Sequence, residues 1–291
     1  MRCGVVILPD ARWSVVLGRW REAEARGFAT AWTYDHLSWR SLRDGPWLGT
    51  VPLLAAVAAS TSTLRLGTLV ASPNFRHPAP LAKEVMTLDE VSGGRLDLGV
   101  GAGGGGYDSA VLGQPSLTAP QRAARFEEFV DALDLLLREP ASSYSGEYFT
   151  AVESRTFPGC TQRPRVPFTV AASGPRSLRV AARHGAAWVT VGAAGSRAAA
   201  GEWFDAVTSQ VEKLGRACEL EGRDPGSLRR VALVNLDADW AHGSISVWDD
   251  FCGRVEELGF TDVVVHWPRP EDPTWPGPPQ PVFDEVCSRL R

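Results

Sequence analysis

The sequence has little lysine and no excess of basic charge. Only Lys83 and Lys213 among its 30 lysines and arginines are lysine, and 34 aspartates and glutamates bring the formal net charge to −4 at pH 7. Proteins that bind nucleic acids or anionic membranes concentrate basic residues on one surface, and no basic run is present here. The composition therefore predicts neither a nucleic acid nor a membrane as a partner.

Cysteine is also sparse, and no Cys-x-x-Cys pair occurs. The five cysteines are widely spaced: Cys3, Cys160, Cys218, Cys252 and Cys287. An odd number of scattered thiols argues against a disulfide framework and against a zinc cage. No group of histidines and carboxylates has metal-ligand spacing either, so we predict no metal site and a reducing, cytoplasmic location.

Long apolar runs are absent. The first residues offer only Gly4 to Leu8, which is too short for a signal-peptide core, and no stretch approaches the ~18 residues of a membrane span. We therefore expect no leader and no membrane anchor. A Gly-x-Ser-x-Gly elbow is missing too, which weighs against a serine hydrolase.

What is present is an unbroken alternation of short apolar runs with helical patterns. Eight runs read as strands: Cys3 to Pro9, Ala29 to Asp35, Leu64 to Ser72, Arg95 to Gly101, Pro167 to Ser173, Ala186 to Val191, Leu228 to Asp237 and Thr261 to His266. Alternating strands and helices predict a parallel sheet, and eight units in 291 residues suit a (β/α)8 barrel of ~250 residues. We predict the α/β class and a single (β/α)8 TIM barrel domain over residues 1–291, with a doubly wound open sheet as the structural rival.

The helical segments carry recognisable ends. Thr118 to Gln121 has the form of a capping box, and glycines that would end helices stand at Gly27, Gly185 and Gly259. The longest segment without a clear pattern is Pro140 to Val166. We expect an irregular insertion at about 140–166, at the non-catalytic end of the barrel, serving as an edge decoration or an oligomer contact.

The catalytic groups of a (β/α)8 barrel lie where strands run into their following loops. Asp35 and His36 hold such a position, and an imidazole that titrates near neutrality is suited to acid–base catalysis. A surface histidine bonded to backbone is the alternative interpretation.

Two further strand ends could hold a ligand. Gly99 to Gly104 satisfies G-x-G-x-x-G, but no helix follows directly, so a dinucleotide fingerprint is not indicated; the run Gly103 to Gly106 favours close backbone approach to a ligand or a flexible loop. Ser173-Gly174-Pro175 precedes a helix whose free amide groups could hold a phosphate. Thr190, Gly192, Ser196 and Arg197 could complete that cradle, although Gly-Pro is also a common helix-entry turn.

Taken together, several motifs resemble those of the bacterial luciferase-like family of flavin and deazaflavin enzymes. They are Gly27-Phe28, Tyr34-Asp35-His36-Leu37, Leu64-Arg65-Leu66-Gly67-Thr68, Arg76-His77-Pro78, Leu81-Ala82-Lys83, Leu88-Asp89-Glu90-Val91-Ser92-Gly93-Gly94-Arg95 and Leu98-Gly99-Val100-Gly101-Ala102-Gly103. The likeness covers residues 1 to about 192 with specific motifs and the rest by strand–helix order.

The resemblance implies a barrel that holds FMN or coenzyme F420 at the carboxyl ends of its strands. It places His36 near the reactive edge of the cofactor ring, and a non-prolyl cis peptide between Leu69 and Val70 behind that ring. The Gly101 to Gly104 loop and the Ser173-Gly174 loop match ring and phosphate contacts. Two positions depart from the family: Ala102 replaces an arginine of FMN-dependent members, and Gly104 replaces an acidic proton donor of deazaflavin sugar-phosphate dehydrogenases.

We therefore predict an oxidoreductase that uses F420 or FMN for hydride transfer or monooxygenation of a small organic substrate. The FMN reaction would need a flavin reductase partner, and the resemblance implies a homodimer. The alternatives are a non-catalytic flavin-binding protein of the same fold and a hydrolase that uses Asp35 and His36. Loop aromatics suggest an apolar or planar substrate: Trp13, Trp39, Trp47, Tyr107 and Trp267.

Overall fold

Eight parallel strands close into a barrel in the computed structural model, which describes residues 1–37, 39–104, 106–193, 199–234, 239–272 and 274–290. The strands are β1 (Arg2–Val6), β2 (Thr30–Thr33), β3 (Arg65–Ala71), β4 (Leu96–Gly101), β5 (Ala141–Ser145), β6 (Thr150–Arg155), β7 (Phe168–Ala171), β8 (Gly185–Thr190), β9 (Arg229–Leu233) and β10 (Asp262–His266). The barrel order is β1-β2-β3-β4-β7-β8-β9-β10, and β10 pairs with β1. The predicted (β/α)8 barrel is confirmed, and the open sheet is excluded.

Helices follow every barrel strand. They are α1 (Trp13–Arg26), α2 (Thr50–Ala58), α3 (Pro78–Ser92), α4 (Tyr107–Val111), α5 (Ala119–Arg138), α6 (Pro175–His184), α7 (Ala200–Leu220), α8 (Ile245–Glu257) and α9 (Gln280–Ser288). Of the helices described, none is both long and apolar enough to cross a membrane.

The helix ends follow local sequence signals with one exception. Thr118 and Gln121 form the predicted capping box at the start of α5. Gly27 and Gly259 have left-handed φ angles of 89° and 77°, as glycine permits after a helix. Gly185 also follows a helix, but its φ is −72° because it continues directly into β8, so the expectation of a left-handed cap there is wrong.

The barrel interior is filled by large side chains from alternate strand positions. Trp32 on β2 is 2% exposed and lies against Gly67 of β3. A Cβ at Gly67 would lie 2.7 Å from the Trp32 ring and 2.1 Å from the Asp97 carbonyl oxygen, so only glycine fits between them. A second apolar layer lies between the strands and the helices, where Phe126 and Phe129 of α5 are fully buried.

Within the segment 140–166, predicted as an irregular insertion, β5 and β6 form a hairpin whose register shifts between Ser142 and Tyr144. β5 and β6 pair antiparallel, and the Glu128 carboxylate on α5 accepts hydrogen bonds from the backbone N–H groups of Glu147, Tyr148 and Phe149 at the hairpin tip. The Phe149 ring lies 5.4 Å from that of His77, the residue that caps the start of α3. The hairpin thus leaves the amino end of the barrel and extends along its outside to the level of the catalytic end.

The two ends of the described chain lie at the amino end of the barrel. Met1 directly precedes β1, and α9 returns to the carboxyl end of α1. A Cβ at Gly27 would lie 3.3 Å from the Leu290 carbonyl oxygen, so the residues after α9 pack closely on the end of α1.

Candidate active site

A cavity of about 500 Å³ opens at the carboxyl ends of the barrel strands. This is the end at which (β/α)8 enzymes bind ligands, and the volume lies within the ~300–1,000 Å³ of small-molecule sites. Most of the residues predicted from the sequence line it: His36, Leu69, Val70, Gly101, Ala102, Gly103, Gly104, Ser173, Thr190 and Gly192. The predicted Asp35, Gly174 and Pro175 are not part of this lining.

One wall of the cavity is made by an irregular pairing of β3 with β4. Thr68 pairs with Leu98 and Ala71 with Val100, so two residues of β3 oppose the single Gly99. The Leu69–Val70 peptide bond in this bulge is cis, as the resemblance implies. A Cβ at Gly99 would lie 1.9 Å from the Thr68 carbonyl oxygen, and one at Gly101 would lie 2.6 Å from Val70 Cγ2. The glycines of β4 therefore make room for the bulge.

The glycine loop after β4 is held by Asn74. The Asn74 side-chain NH2 group donates a hydrogen bond to the Gly104 carbonyl oxygen at 3.0 Å, and Arg125 donates to the Asn74 side-chain oxygen at 2.6 Å. Gly103 has φ +72°, and a Cβ there would lie 2.4 Å from Asn74 Nδ2. This part of the loop is thus fixed against β3 and α5.

His36 lines the cavity and is held by a carboxylate that the sequence did not single out. Its Nδ1 lies 2.7 Å from Asp108 Oδ2, and the Leu37 backbone N–H donates to Asp108 Oδ1 at 2.8 Å. Asp108, in the first turn of α4, is 3% exposed, whereas the His36 side chain is 27% exposed. A carboxylate can only accept, so Nδ1 of a neutral His36 carries the proton and Nε2 is a free base.

Asp35 has a different environment from its neighbour. Both of its carboxylate oxygens accept hydrogen bonds from Arg76, at 2.6 and 2.9 Å, and it is 1% exposed. Arg76 also lies 3.3 Å from Glu84. Because both oxygens bond to Arg76 and Asp35 is not part of the cavity lining, the geometry weighs against a catalytic role for Asp35 and against the Asp35–His36 hydrolase.

A second histidine contacts Tyr34, a residue that lines the cavity. His266, 2% exposed, places Nδ1 3.1 Å from the Val234 carbonyl oxygen and Nε2 2.8 Å from the Tyr34 hydroxyl. The carbonyl can only accept, so Nδ1 donates to it and Nε2 accepts from Tyr34. Burial, with the charge of His242, lowers the pKa of His266 to about 3. This imidazole is therefore neutral near pH 7.

Aromatic rings cover the side of the cavity next to His36. Trp39 stacks on Trp47 at 6.1 Å and lies 6.0 Å from Trp275, and the Trp47 indole N–H donates to the His36 carbonyl oxygen at 2.9 Å. The Arg40 guanidinium lies over Trp39. Among the aromatics predicted to contact a substrate, Trp39 and Tyr107 line the cavity, whereas Trp267 packs on Phe283 and Trp13 is on the surface.

The predicted phosphate cradle is only partly assembled. Ser173 and Ser177 line the cavity, whereas Gly174 and Pro175 form the exposed start of α6 outside it. The Thr190 hydroxyl donates to Gln210 and accepts from the Gly192 backbone N–H, so it fixes the turn after β8. The predicted Ser196 and Arg197 lie outside the described residues.

Sequence reasoning missed Asp108 because nothing local marks it. It stands seven residues after the end of β4, beyond the glycine run, and its partner is 72 residues away in the chain. One signal was available. Asp108 is an acid in the segment after β4, and in a barrel the carboxyl ends of all strands meet at one edge, where His36 also lies. Arg76 stood in a motif, but its contact with Asp35 required the structure, as did the contact of Asn74 with Gly104.

Comparisons with known proteins agree with this architecture. The chain is 29% identical over 272 residues to an F420-dependent glucose-6-phosphate dehydrogenase from Amycolatopsis mediterranei, which covers 86% of this chain and 79% of the relative. The fold matches that of an F420-dependent secondary alcohol dehydrogenase solved with an F420–acetone adduct, with a TM-score of 0.76, 19% identity, and coverage of 91% of this chain and 92% of that one.

A second solved structure with this fold is a riboflavin lyase with modified FMN and riboflavin, with a TM-score of 0.67, 20% identity, and coverage of 80% of this chain and 62% of that one. The family model described as luciferase-like monooxygenase matches residues 1–239 of this chain. The chain therefore belongs to the luciferase-like monooxygenase family.

Proposed function

We propose that the protein is an oxidoreductase that binds coenzyme F420 or FMN in the cavity at the carboxyl ends of its strands and acts on a small organic substrate. Family membership and the similarity to an F420-dependent dehydrogenase support this function. The single observation that carries it is His36, a cavity residue whose Nδ1 is fixed by the buried Asp108. Such a base beside a planar slot suits redox chemistry coupled to proton transfer.

The residues present fit a planar heterocycle. The wall behind the slot is the Leu69–Val70 bulge, and the backbone of Gly101 and Gly103 approaches without side chains. Leu233 and Val189 add apolar surface from the opposite strands. We assign Gly101 to Gly104 to ring contacts and Ser173 to a polar group of the cofactor. Thr190 and Gly192, whose hydroxyl and N–H groups hold the turn after β8, would make van der Waals contacts with the cofactor.

Either cofactor, when bound, would supply the two-electron redox chemistry that no amino acid side chain provides. The role of His36 follows from its hydrogen bonds. With Nδ1–H donated to Asp108, Nε2 accepts a proton from a substrate hydroxyl, and in the reverse direction the imidazolium returns it. Asp108 fixes the orientation of the imidazole through its contact with Nδ1. The Trp39–Trp47 pair excludes water from the same side.

Anaerobic titration of the purified protein with F420 and with FMN, followed by absorbance and fluorescence, tests the proposal. We expect one cofactor to bind with a Kd below about 1 µM, near −8 kcal/mol. Failure of both to bind contradicts the proposed function. Glucose 6-phosphate and secondary alcohols are the first substrates to assay, because similar proteins carry these names.

The cytoplasmic location, the homodimer and a reductase partner are further parts of the proposal. A reductase is needed only if FMN is the cofactor and oxygen is consumed. Oxygen uptake that requires an added flavin reductase would show this dependence, and light scattering of the purified protein would give the oligomeric state.

A further inference from the structure

Helix α5 begins beside the cavity with two arginines that have no acidic partner. Arg122 and Arg125 lie one turn apart, and both are half-buried. Arg122 donates to the Leu117 carbonyl oxygen at 2.7 Å, and Arg125 donates to the Asn74 side-chain oxygen at 2.6 Å. Within the described ranges, no carboxylate forms an ion pair with either guanidinium.

The acids of α5 are all committed to other groups. Their partners are Arg176 and Arg183 for Glu127, the hairpin N–H groups for Glu128, His184 for Asp131, and Arg138, Arg165 and His184 for Asp134. The acids of the helix are thus satisfied along its middle and carboxyl-terminal half, while its first two turns keep two uncompensated positive charges.

This arrangement is costly without a ligand. The Arg125 Nε atom is buried without a hydrogen-bond partner, and burial, with the charge of Arg122, lowers the pKa of Arg125. Like charges three residues apart on a helix repel, and an unpaired charge loses hydration when it is covered. The positive end of the α5 dipole adds to the same potential. An anion between the arginines would offset all three effects.

The cleft in front of these arginines shares two lining residues with the cavity. Asn74 and Gly104 line both, and the hydrogen bond between them forms the shared edge. We propose that the cleft between Gly104 and the first turns of α5 is an anion subsite for a phosphate or carboxylate on an arm of the cavity ligand. The cleft has a volume of only about 20 Å³, so the anionic group binds at its opening.

This proposal rests on the proposed function, because the ligand that carries the anionic arm is then either the cofactor or the substrate of an oxidoreductase. Four variants test it: Arg122→Met, Arg125→Met, the double variant, and Arg125→Lys, which keeps the charge. Arg216→Met is the matched control, because its side chain is 74% exposed on α7. Melting temperatures identify variants that remain folded.

The first measurement compares ligands with and without the anionic arm by fluorescence titration: FMN with riboflavin, and F420 with its phosphate-free deazaflavin chromophore. If the arm belongs to the cofactor, the double variant binds the phosphorylated ligand about 10- to 100-fold more weakly and the phosphate-free ligand nearly as well as wild type. A purely structural role for Arg125, through Asn74, would weaken both ligands equally and overturn the proposal.

The second measurement uses inorganic phosphate as the probe for a substrate arm. Phosphate should raise the melting temperature of the cofactor-loaded wild type and of the Arg216→Met variant, but not that of the double variant. No anion subsite exists if the double variant changes neither the ratio of the Kd values for ligands with and without phosphate nor the rise in melting temperature that phosphate causes. If wild type binds neither cofactor, the proposed function fails, and the phosphate titration of the unloaded protein still decides on the subsite.

Discussion

Two histidines at the mouth of the barrel, His36 after β2 and His266 at the end of β10, have opposite environments. His36 is partly exposed to the cavity and bonded to the carboxylate of Asp108. His266 is buried and bonded to two neutral groups, the Tyr34 hydroxyl and the Val234 carbonyl. A carboxylate stabilises the imidazolium form, whereas neutral partners and burial disfavour it.

The difference shows that position at a strand end does not define a catalytic histidine. His266 ends its strand and His36 lies three residues after β2, yet it is His36 that lines the cavity and contacts a carboxylate. His266 acts instead as a fixed acceptor that orients Tyr34 below the cavity. The two histidines differ in the group that contacts Nδ1, which is the Asp108 carboxylate for His36 and the Val234 carbonyl for His266.

Replacing His36 is expected to have the largest effect. His36→Ala removes the proposed proton acceptor, so turnover of any substrate used by wild type should fall about 10²–10⁴-fold, as for loss of a general acid–base. Cofactor affinity, measured by the same titration, should remain near that of wild type. Equal turnover of variant and wild type would assign His36 no catalytic role.

Replacing Asp35 should show that its role is structural, unlike that of Asp108, the carboxylate that contacts His36. Asp35→Asn breaks the buried ion pair with Arg76 and should lower the free energy of unfolding by about 3 kcal/mol, measured by urea denaturation. Asp44→Asn is the control, since the side chain of Asp44 is 89% exposed and its replacement should change stability by less than about 0.5 kcal/mol. An unchanged stability of Asp35→Asn would contradict the structural role given to this residue.

Asp108→Asn should reduce turnover about as strongly as loss of His36, about 10²–10⁴-fold, without unfolding the protein. The asparagine amide keeps an oxygen for the Leu37 N–H and presents a donor to His36 Nδ1, which forces the proton onto Nε2. Nitrogen-15 spectra of the His36 ring report this directly: Nδ1–H in wild type and Nε2–H in the variant. The same tautomer in both proteins would show that Asp108 does not orient the imidazole.

Replacing His266 should change stability only in acid, below about pH 6.5. Between pH 6.5 and about 3, the unfolded chain protonates this histidine while the folded protein does not, so falling pH favours unfolding. This one group contributes a loss of about 1.4 kcal/mol per pH unit. His266→Gln, which keeps a donor and an acceptor, should flatten the fall in unfolding free energy over that window. Identical slopes for both proteins would mean that His266 titrates normally.

The barrel was predictable because each of its strands is a short apolar run followed by a helix with its own end signals, such as Thr118 and Gly27. Much of the cavity lining follows from the same pattern, since strand ends must meet at one edge. Pairings across the chain were not predictable: Tyr34 and His266 are 232 residues apart, and Asp35 and Arg76 are 41 apart. The hairpin escaped detection because its tip is held by Glu128, which lies on another element.

The close packing of Leu290 against the end of α1 has a practical consequence. Met1 and Leu290 both lie on the side of the barrel opposite the cavity, so a peptide joined to either one emerges away from the ligand entrance. Affinity tags, fluorescent fusions and surface immobilisation through these points therefore leave the entrance accessible, and the titrations above can be performed on tethered protein.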